Sequence, residues 1–484
     1  MLIRTCLRIL GLLLMIFSIT LLPPVFIALY YQDGMVNAFL LTAASTFFLG
    51  LFIWFPFCRQ KHQLRTRDGF LIVTLFWVTL SFAGAIPLVL VETPHIAFVD
   101  AVFEAVSGFT TTGSTVLIGL DDLPNSIRYY RQQLHFIGGM GIIILAVAIL
   151  PMLGIGGLQL YRAESTGPVK DKLTPRITET AKALWLIYVG LTLVCMIAFW
   201  LAGMSWFDAI CYAFSSVSTG GNAPHDQSIG FFHNNTINVI AIVFMFLGGV
   251  SFSLHFIAWH TKSLRGYWKD SEFRAYLLIL CCVFLGVFIV MILNRLYDTP
   301  QDDFIQSLFH VVSMLTTTGL MTSADGFSGW PLYVPVLLVL AGLIGGCANS
   351  TSGGIKVIRV LLMQKQSARE MRRLIHPNGQ FIVKINDKPV PDHVLDAIWG
   401  FMGFYLLVFG LLVLALMGTG LNFLSAWSGV ASTIANIGPG LGAFELNYSS
   451  ATPLAKWLLS ASMLVGRLEI FTIFVLLSPA FWRD

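Results

Sequence analysis

The sequence predicts an all-α polytopic membrane protein in which one unit, a helix, a half-helix, a turn and a second helix, occurs four times. Three observations carry this prediction. The 484 residues are 56% hydrophobic and only 11% charged, and apolar runs of about twenty residues recur, each long enough to span ~30 Å of hydrocarbon as a helix. Basic residues alternate between rich and poor loops. A short hydroxyl-and-glycine turn is repeated four times at membrane depth.

The apolar runs lie near 11–30, 38–57, 69–91, 132–152, 183–203, 236–258, 276–294, 331–361, 398–418 and 454–478. They predict ten crossings, with both termini on one side. With that side cytoplasmic, the inner face collects Arg4, Arg8, the run from Arg59 to Arg67, five basic residues from Arg162 to Lys182, four from Lys262 to Arg274 and eight from Lys356 to Lys388. The outer loops keep Arg128, Arg131, Arg295 and Lys456. This asymmetry orients the chain. The net charge of +4 therefore reports topology, and no nucleic-acid partner is expected.

The first run follows two arginines but lacks a small-residue cleavage site, so it reads as a retained helix. The seven cysteines (Cys6, Cys58, Cys195, Cys211, Cys281, Cys282 and Cys347) have no CxxC spacing and read as buried thiols. The histidines form no paired-ligand pattern, and no organic cofactor is expected on the chain.

Aligned on their glycines, the four turns are SGFTTTGS (Ser107 to Ser114), SSVSTGGN (Ser215 to Asn222), SMLTTTGL (Ser313 to Leu320) and STIANIGP (Ser432 to Pro439). Seven residues before each leading serine stands Asp100, Asp208, Gln306 or Ser425, with Phe98, Trp206, Phe304 or Phe423 two positions earlier. The aspartates and the serine are good N-caps, so each half-helix has about ten residues, or ~15 Å, too short to cross. It must enter and turn back. Glycine marks follow at Gly138-Gly139, Gly248-Gly249, Gly345-Gly346 and Gly466, offset by 25, 27, 26 and 28 residues from Gly113, Gly221, Gly319 and Gly438. Each unit holds two full crossings, so all four enter from one side around an axis along the membrane normal, unlike inverted repeats.

Non-helical backbone at this depth must line protein or a water-filled path. The glycines permit backbone angles barred to other residues, so the carbonyls of Thr112-Gly113, Gly220-Gly221, Thr318-Gly319 and Ile437-Gly438 could face a central opening. Rings of carbonyls replace the hydration shell of a monovalent cation, and the half-helices would aim their negative ends there. The candidate filter comprises Thr111, Thr112, Gly113, Thr219, Gly220, Gly221, Thr317, Thr318, Gly319, Asn436, Ile437 and Gly438. Hydroxyls of Thr110, Ser218 and Thr316 could add ligands, but Ala435 breaks that ring in the fourth copy.

The four loops, the segment GGCANSTSGGIK, the GRLE near the C-terminus, and RDGFLIV, YRAE, HPNG and FWR together resemble the Trk/Ktr/HKT superfamily of potassium uptake proteins, in particular its bacterial TrkH/TrkG transmembrane subunits. The resemblance runs essentially end to end. It implies a pseudo-tetrameric potassium pore preceded by a two-helix hairpin, a homodimer in the bacterial inner membrane, and a cytoplasmic ring of TrkA-type regulatory subunits binding NAD(H) or ATP. Potassium, the transported ion, would sit at the filter carbonyls. The units then run 1–66 (hairpin), 67–160, 161–262, 263–375 (with a gate loop) and 376–484. Asn222 and Leu320 depart from the residues usual in the family's second and third loops, which leaves the degree of discrimination against sodium open.

The eighth apolar run is interrupted by Gly345, Gly346, Cys347, Ala348, Asn349, Ser350, Thr351, Ser352, Gly353 and Gly354, residues that weaken a helix. This segment reads as a gate below the filter, as the resemblance also implies. It does not satisfy GxxxxGK[ST] and follows no strand, so it is no phosphate loop, and LGIGGLQL near Gly154 follows a membrane helix and is no dinucleotide loop. Arg467 lies inside the last run, where charge is expensive. It reads either as a structural partner of a carboxylate such as Glu469 or, preferred because residues two apart do not face each other on a helix, as a positive charge near the pore; the matching family arginine lies near the permeation path. Some of the basic stretch from Lys356 to Arg373 should dock the regulatory ring.

Two other readings compete. Glu469 and Glu104 are candidate relay carboxylates for a symporter coupled to protons or sodium. The GFSG string from Gly326 to Gly329, with His135 and His255 in membrane runs, matches intramembrane serine proteases, but Ser328 falls in an expected outer loop.

Overall fold

The computed structural model describes residues 2–58, 66–144, 173–323 and 326–482. Residues 59–65 of the expected basic run Arg59 to Arg67, residues 162–172 of the run Arg162 to Lys182, the YRAE string, the Gly154 loop, the end of the fourth apolar run and Arg483 lie outside them. Helices Leu2–Thr20 and Val36–Trp54, joined through Leu22–Tyr31, form the N-terminal pair. Glycine lets their backbones meet: a Cβ on Gly11 would stand 2.6 Å from the Gly50 carbonyl, and one on Gly50 2.7 Å from that of Gly11.

Four units follow. Their first helices are Thr66–Val89, Leu173–Leu201, Ser271–Asn294 and Asp392–Met417, and their half-helices are Phe98–Phe109, Trp206–Val217, Pro300–Leu315 and Phe423–Ile434. The outer helices present leucine, isoleucine and tryptophan outward, as at Leu186, Trp200, Leu278 and Leu406, a surface suited to lipid. The half-helices are enclosed instead, with every residue from Ala101 to Phe109 buried. One apolar cluster joins the hairpin to the first and fourth units, and another joins the second and third.

The expected N-caps need correction. The caps that bond the helix start are Ser205, Thr299 and Asn422, whose side chains accept from the amides of Asp208, Asp302 and Ser425. Asp100, Asp208 and Ser425 are third helical residues, where acidic groups favour the helix dipole, and Gln306 lies within a half-helix that starts a turn early at Pro300.

The second helices begin as Asn125–Ile144, Asn235–Gly249, Tyr333–Ile344 and Pro453–Arg467. Two of them are not straight crossings. Asn235–Gly249 meets Phe252–Thr261 at 96°, and Pro453–Arg467 meets Phe471–Leu477 at 106°. Among the described residues six helices are long and apolar enough to cross a membrane, or eight with each bent pair counted as one span. The other two expected crossings correspond to Asn125–Ile144, polar in its first half at Arg128, Arg131, Gln132 and Gln133, and to Tyr333–Ile344, only 12 residues long. The apolar run 331–361 is thus not one helix: it breaks at Gly345 and resumes as the basic helix Val357–Ile375.

Candidate ion path: four glycine turns and the loop beneath them

Each half-helix ends in the same hydrogen-bonded cap. The amides of Thr112, Gly220, Thr318 and Ile437 donate to the carbonyls of Ser107, Ser215, Ser313 and Ser432 at 2.7–2.9 Å. One residue earlier, Thr111, Thr219, Thr317 and Asn436 take left-handed φ of 50°, 51°, 56° and 55° and donate to Gly108, Ser216, Met314 and Thr433. This is a Schellman turn. The leading serine of each repeat is therefore the position that receives the long bond.

The glycines then take φ of 81°, 87°, 78° and 109°. A Cβ on Gly113 would lie 2.3 Å from the Gly220 carbonyl oxygen, on Gly221 1.9 Å from that of Thr318, on Gly319 2.0 Å from that of Ile437, and on Gly438 2.8 Å from that of Thr112. Each loop thus presses its glycine against the carbonyl just before the next loop's glycine, and the contacts close into a ring. All four glycines line one cavity of about 220 Å³, which none of the residues from Gly345 to Gly354 line. The fourth loop differs in one respect: the Gly438 carbonyl accepts from Ser114 at 2.9 Å and Tyr448 at 3.0 Å, so its lone pairs serve the protein.

The expected hydroxyl ligands are also placed otherwise. Thr110 and Thr316 donate back to Val106 and Val312 at 2.7 Å, and Ser218 turns toward Ser215 at 3.4 Å. The left-handed positions hold the segment beneath with their side chains. Thr317 Oγ1 accepts from the Gly353 amide at 2.6 Å, Thr219 Oγ1 donates to Thr351 Oγ1 at 3.2 Å, and Thr111 Oγ1 accepts from Arg467. Asn436 instead ties its loop to Thr112 Oγ1 at 2.8 Å and to Met463.

The segment from Gly345 to Gly354 is a closed flap. Its neck is tied by the amides of Ile355, Lys356 and Val357 donating to Leu343, Ile344 and Gly346 at 2.9–3.0 Å. Gly345 and Gly354, at φ 78° and 75°, pass so closely that a Cβ on Gly345 would stand 2.3 Å from the Gly353 carbonyl. The flap seats against the second unit through Thr351 Oγ1 to Val217 and Gly248 at 3.1 and 3.0 Å. It seats against the fourth through the Gly354 amide to Ala435 at 2.9 Å. Ser350 closes its tip on Cys347 at 2.6 Å, the Asn349 carbonyl receives Phe252 N–H at 3.0 Å, and Lys356 Nζ reaches back to Ser352.

Two carboxylates grip its ends. Glu272 was not singled out by the sequence; its Oε1 accepts from the amides of Ala348 at 2.6 Å and Ile358 at 3.2 Å. Glu469 pairs with Arg359 at 2.5 Å, whose guanidinium lies 4.3 Å from the Phe401 ring centre. Arg467 therefore has no pair with Glu469. Its Nη2 bonds Thr111 and, at 3.0 Å, the Thr351 carbonyl, joining the first glycine turn to the flap.

The glycine marks pack where second helices pass half-helix ends. A Cβ on Gly138, Gly248 or Gly466 would meet the carbonyls of Phe109, Val217 and Ile434 at 2.0, 2.8 and 2.0 Å. In the third unit Gly342 does this, 2.9 Å from Met314 O, while Gly345-Gly346 open the flap. Ser328 is exposed, and His255 is held by Tyr267 and Leu247 at 2.7 and 2.9 Å, which leaves no serine–histidine pairing between them.

A family model described as TrkH, cation transport protein, matches residues 36–483. The chain is 51% identical to the Trk system potassium uptake protein TrkH of Vibrio parahaemolyticus, over 99% of both chains. It is 48% identical to the protein of that name from Escherichia coli, again over 99% of both. The crystal structure of the potassium transporter TrkH from Vibrio parahaemolyticus superposes with a TM-score of 0.93 over 100% of both chains, at 49% identity. Four capped half-helices, a ring of glycine contacts and full-length similarity agree: the chain is a multi-pass membrane protein that belongs to the TrkH cation transport family, a family of transporters and not of enzymes.

Proposed function

We propose that this protein takes up potassium through a pore whose filter is the four-glycine ring and whose gate is the flap from Gly345 to Gly354. The ring carries the reading: four backbones converge on one cavity with their glycines in cyclic contact. Carbonyls at such seams suit a dehydrated monovalent cation, and four half-helix C-termini favour positive charge there. Relatives named for potassium uptake support potassium as the ion. Arg467 would both hold the flap and oppose cation passage until it moves.

Uptake would proceed across the bacterial inner membrane with both termini cytoplasmic, from a homodimer whose units follow the ranges given above. A TrkA-type subunit binding NAD(H) or ATP would pull on the basic helix Val357–Ile375, which leads directly out of the flap. A coupled symporter is less well supported, because both carboxylates named from the sequence as relay candidates are held in ion pairs, Glu104 with Arg131 and Glu469 with Arg359.

The test is potassium and sodium uptake in cells lacking their own potassium transporters and supplied with the regulatory subunit, native chain against Gly113→Ser. Rescue at low potassium by the native chain, with discrimination against sodium lost in the variant, is expected. Unchanged selectivity in the variant would place ion choice elsewhere, and no cation flux from the native chain would overturn the pore.

A further inference from the structure

The backbone ring is fourfold, but what stands behind each loop is not. Nine residues before Gly113 lies Glu104, with its side chain fully buried and that of Arg131 at 1% exposure. Glu104 Oε1 accepts from Thr115 Oγ1 at 2.5 Å and from the amides of Val116 and Leu117 at 2.7 and 3.3 Å. Its Oε2 accepts from Arg131 Nε at 3.1 Å and lies 3.1 Å from Nη2 in the ion pair. Arg131 Nη2 also donates to Thr115 Oγ1 at 3.0 Å, and Nη1 to the Ala223 carbonyl at 3.3 Å.

Thr115 and Ala223 are equivalent positions, two residues beyond Gly113 and Gly221. One carboxylate thus gathers the strand leaving the first filter loop, and one guanidinium ties that strand to the matching strand of the second. The residues equivalent to Glu104 are Tyr212, His310 and Gly429. Tyr212 reaches Ser228 O at 2.7 Å, His310 turns Nδ1 to Gln306 O at 2.9 Å, and Gly429 leaves room for the Phe444 ring. Among these four equivalent positions only Glu104 carries a charge, and it alone pairs with an arginine that reaches the neighbouring loop.

We propose that the Glu104–Arg131 pair is a specificity-positioning brace: it sets the spacing of the first and second filter strands and through them the choice among alkali cations. The proposal rests on the filter reading above. Charge-assisted, multidentate bonds fix geometry more tightly than neutral ones, and a site that selects by carbonyl placement needs its strands held within a fraction of an ångström. The four donors on Glu104 also keep it from acting as a mobile proton carrier. Arg131 lines the same cavity as the glycines, so a purely electrostatic role, with Glu104 cancelling a charge near the ion, must be separated from bracing.

The experiment compares the native full-length chain, Glu104→Gln/Arg131→Met, Arg131→Lys and Gly113→Ser for potassium and sodium uptake, in transporter-deficient cells supplied with the regulatory subunit. The double variant removes both charges together. The brace predicts that it still conducts while its potassium-to-sodium ratio falls about tenfold or more; a charge-cancelling role predicts conduction at the native ratio, which would overturn the proposal. Arg131→Lys keeps the ion pair but not the fork, and should lower the ratio severalfold even if the double variant fails to reach the membrane; a native ratio there also overturns it. Loss of selectivity in Gly113→Ser with native selectivity in the brace variants would defeat the brace alone, whereas native selectivity in Gly113→Ser would defeat the filter reading beneath it.

Discussion

The layer of the glycine ring, the proposed filter, and the layer beneath it are built on opposite plans. In the glycine ring, four segments that share their leading serine and their glycine but differ between them adopt one backbone: the same Schellman bonds, the same left-handed position, the same glycine contact. Beneath it, the four second helices take different courses. The first runs on from Asn125 to Ile144, the second bends by 96°, the third opens into the flap, and the fourth bends by 106° at Arg467. A spherical ion is met equally from all sides only if the backbones that meet it are alike. A gate needs one element free to leave while the others stay, so symmetry there would be a handicap. The side chains at the left-handed positions mark the boundary, since their backbones belong to the ring and three of them, Thr111, Thr219 and Thr317, hold the flap or Arg467.

The strongest way to break the comparison is to add a methyl group to the ring. Gly221→Ala places a Cβ 1.9 Å from the Thr318 carbonyl, and a left-handed alanine costs about 1–2 kcal/mol before any clash. Potassium uptake should fall to background. The clash distances at Gly319, Gly113 and Gly438 are 2.0, 2.3 and 2.8 Å, so the four alanine variants should rank in that order, with Gly438→Ala the mildest. Equal severity at all four, measured as initial uptake rate per protein in the membrane, would mean that the ring is not what these substitutions disturb.

Much of the glycine-ring layer was legible, because a turn used four times leaves the same serine and glycine at the same offsets, with a threonine at the left-handed position in three of the four copies. The layer beneath was legible only at its breaks. Gly345 to Gly354 announced itself by composition, but nothing in GGVSF or GRLE distinguishes a glycine that packs from one that precedes a right-angle bend. The half-helix starts were misread because Asp208 and Ser425, both residue types that cap, stand in the third helical position while the true caps, Ser205 and Asn422, stand three residues ahead, and in the third unit the cap Thr299 lies seven residues before Gln306. Glu272 was invisible for a different reason. At a helix start the string WKDSEF reads as ordinary capping, and Asp270 does cap; that the neighbouring glutamate reaches the flap 76 residues away depends on the fold.

The flap's attachments sharpen the comparison at intermediate size. Arg467→Gln shortens the side chain and removes the charge, losing the charge-assisted bond to the Thr351 carbonyl, which contributes about 1.5–3 kcal/mol. Potassium flux without the regulatory subunit should rise about tenfold or more. Glu272→Ala removes the acceptor for Ala348 and Ile358 and should raise that same leak severalfold, with Glu272→Gln closer to native because an amide oxygen can still accept. If all three variants leaked no more than the native chain, the flap would not be held by these contacts.

The smallest effect is expected at the outer mouth, where the first two units meet around His225. Its ring bonds Asp121 at 2.5 Å and Asp208 at 3.2 Å, lies 3.1 Å from Arg128 Nη2, and stacks on Phe231 at 3.8 Å. Burial opposes the charged form, and Arg128 does too, but the bonds to Asp208 and Asp121 outweigh them and hold the imidazole above its usual range. A group whose pKa is raised on folding contributes stability that is fully present below its unfolded value, ~6.5, and is lost as pH climbs through the raised one. Thermal stability of the purified chain, native minus His225→Gln, should therefore be largest below that value and shrink on the alkaline side. The ring residues themselves are threonine, glycine, asparagine and isoleucine, and the His135 ring packed against Gly220 is fully buried, so potassium selectivity should stay constant over the same range; a selectivity that follows His225 would show that the symmetric layer answers to an asymmetric contact after all.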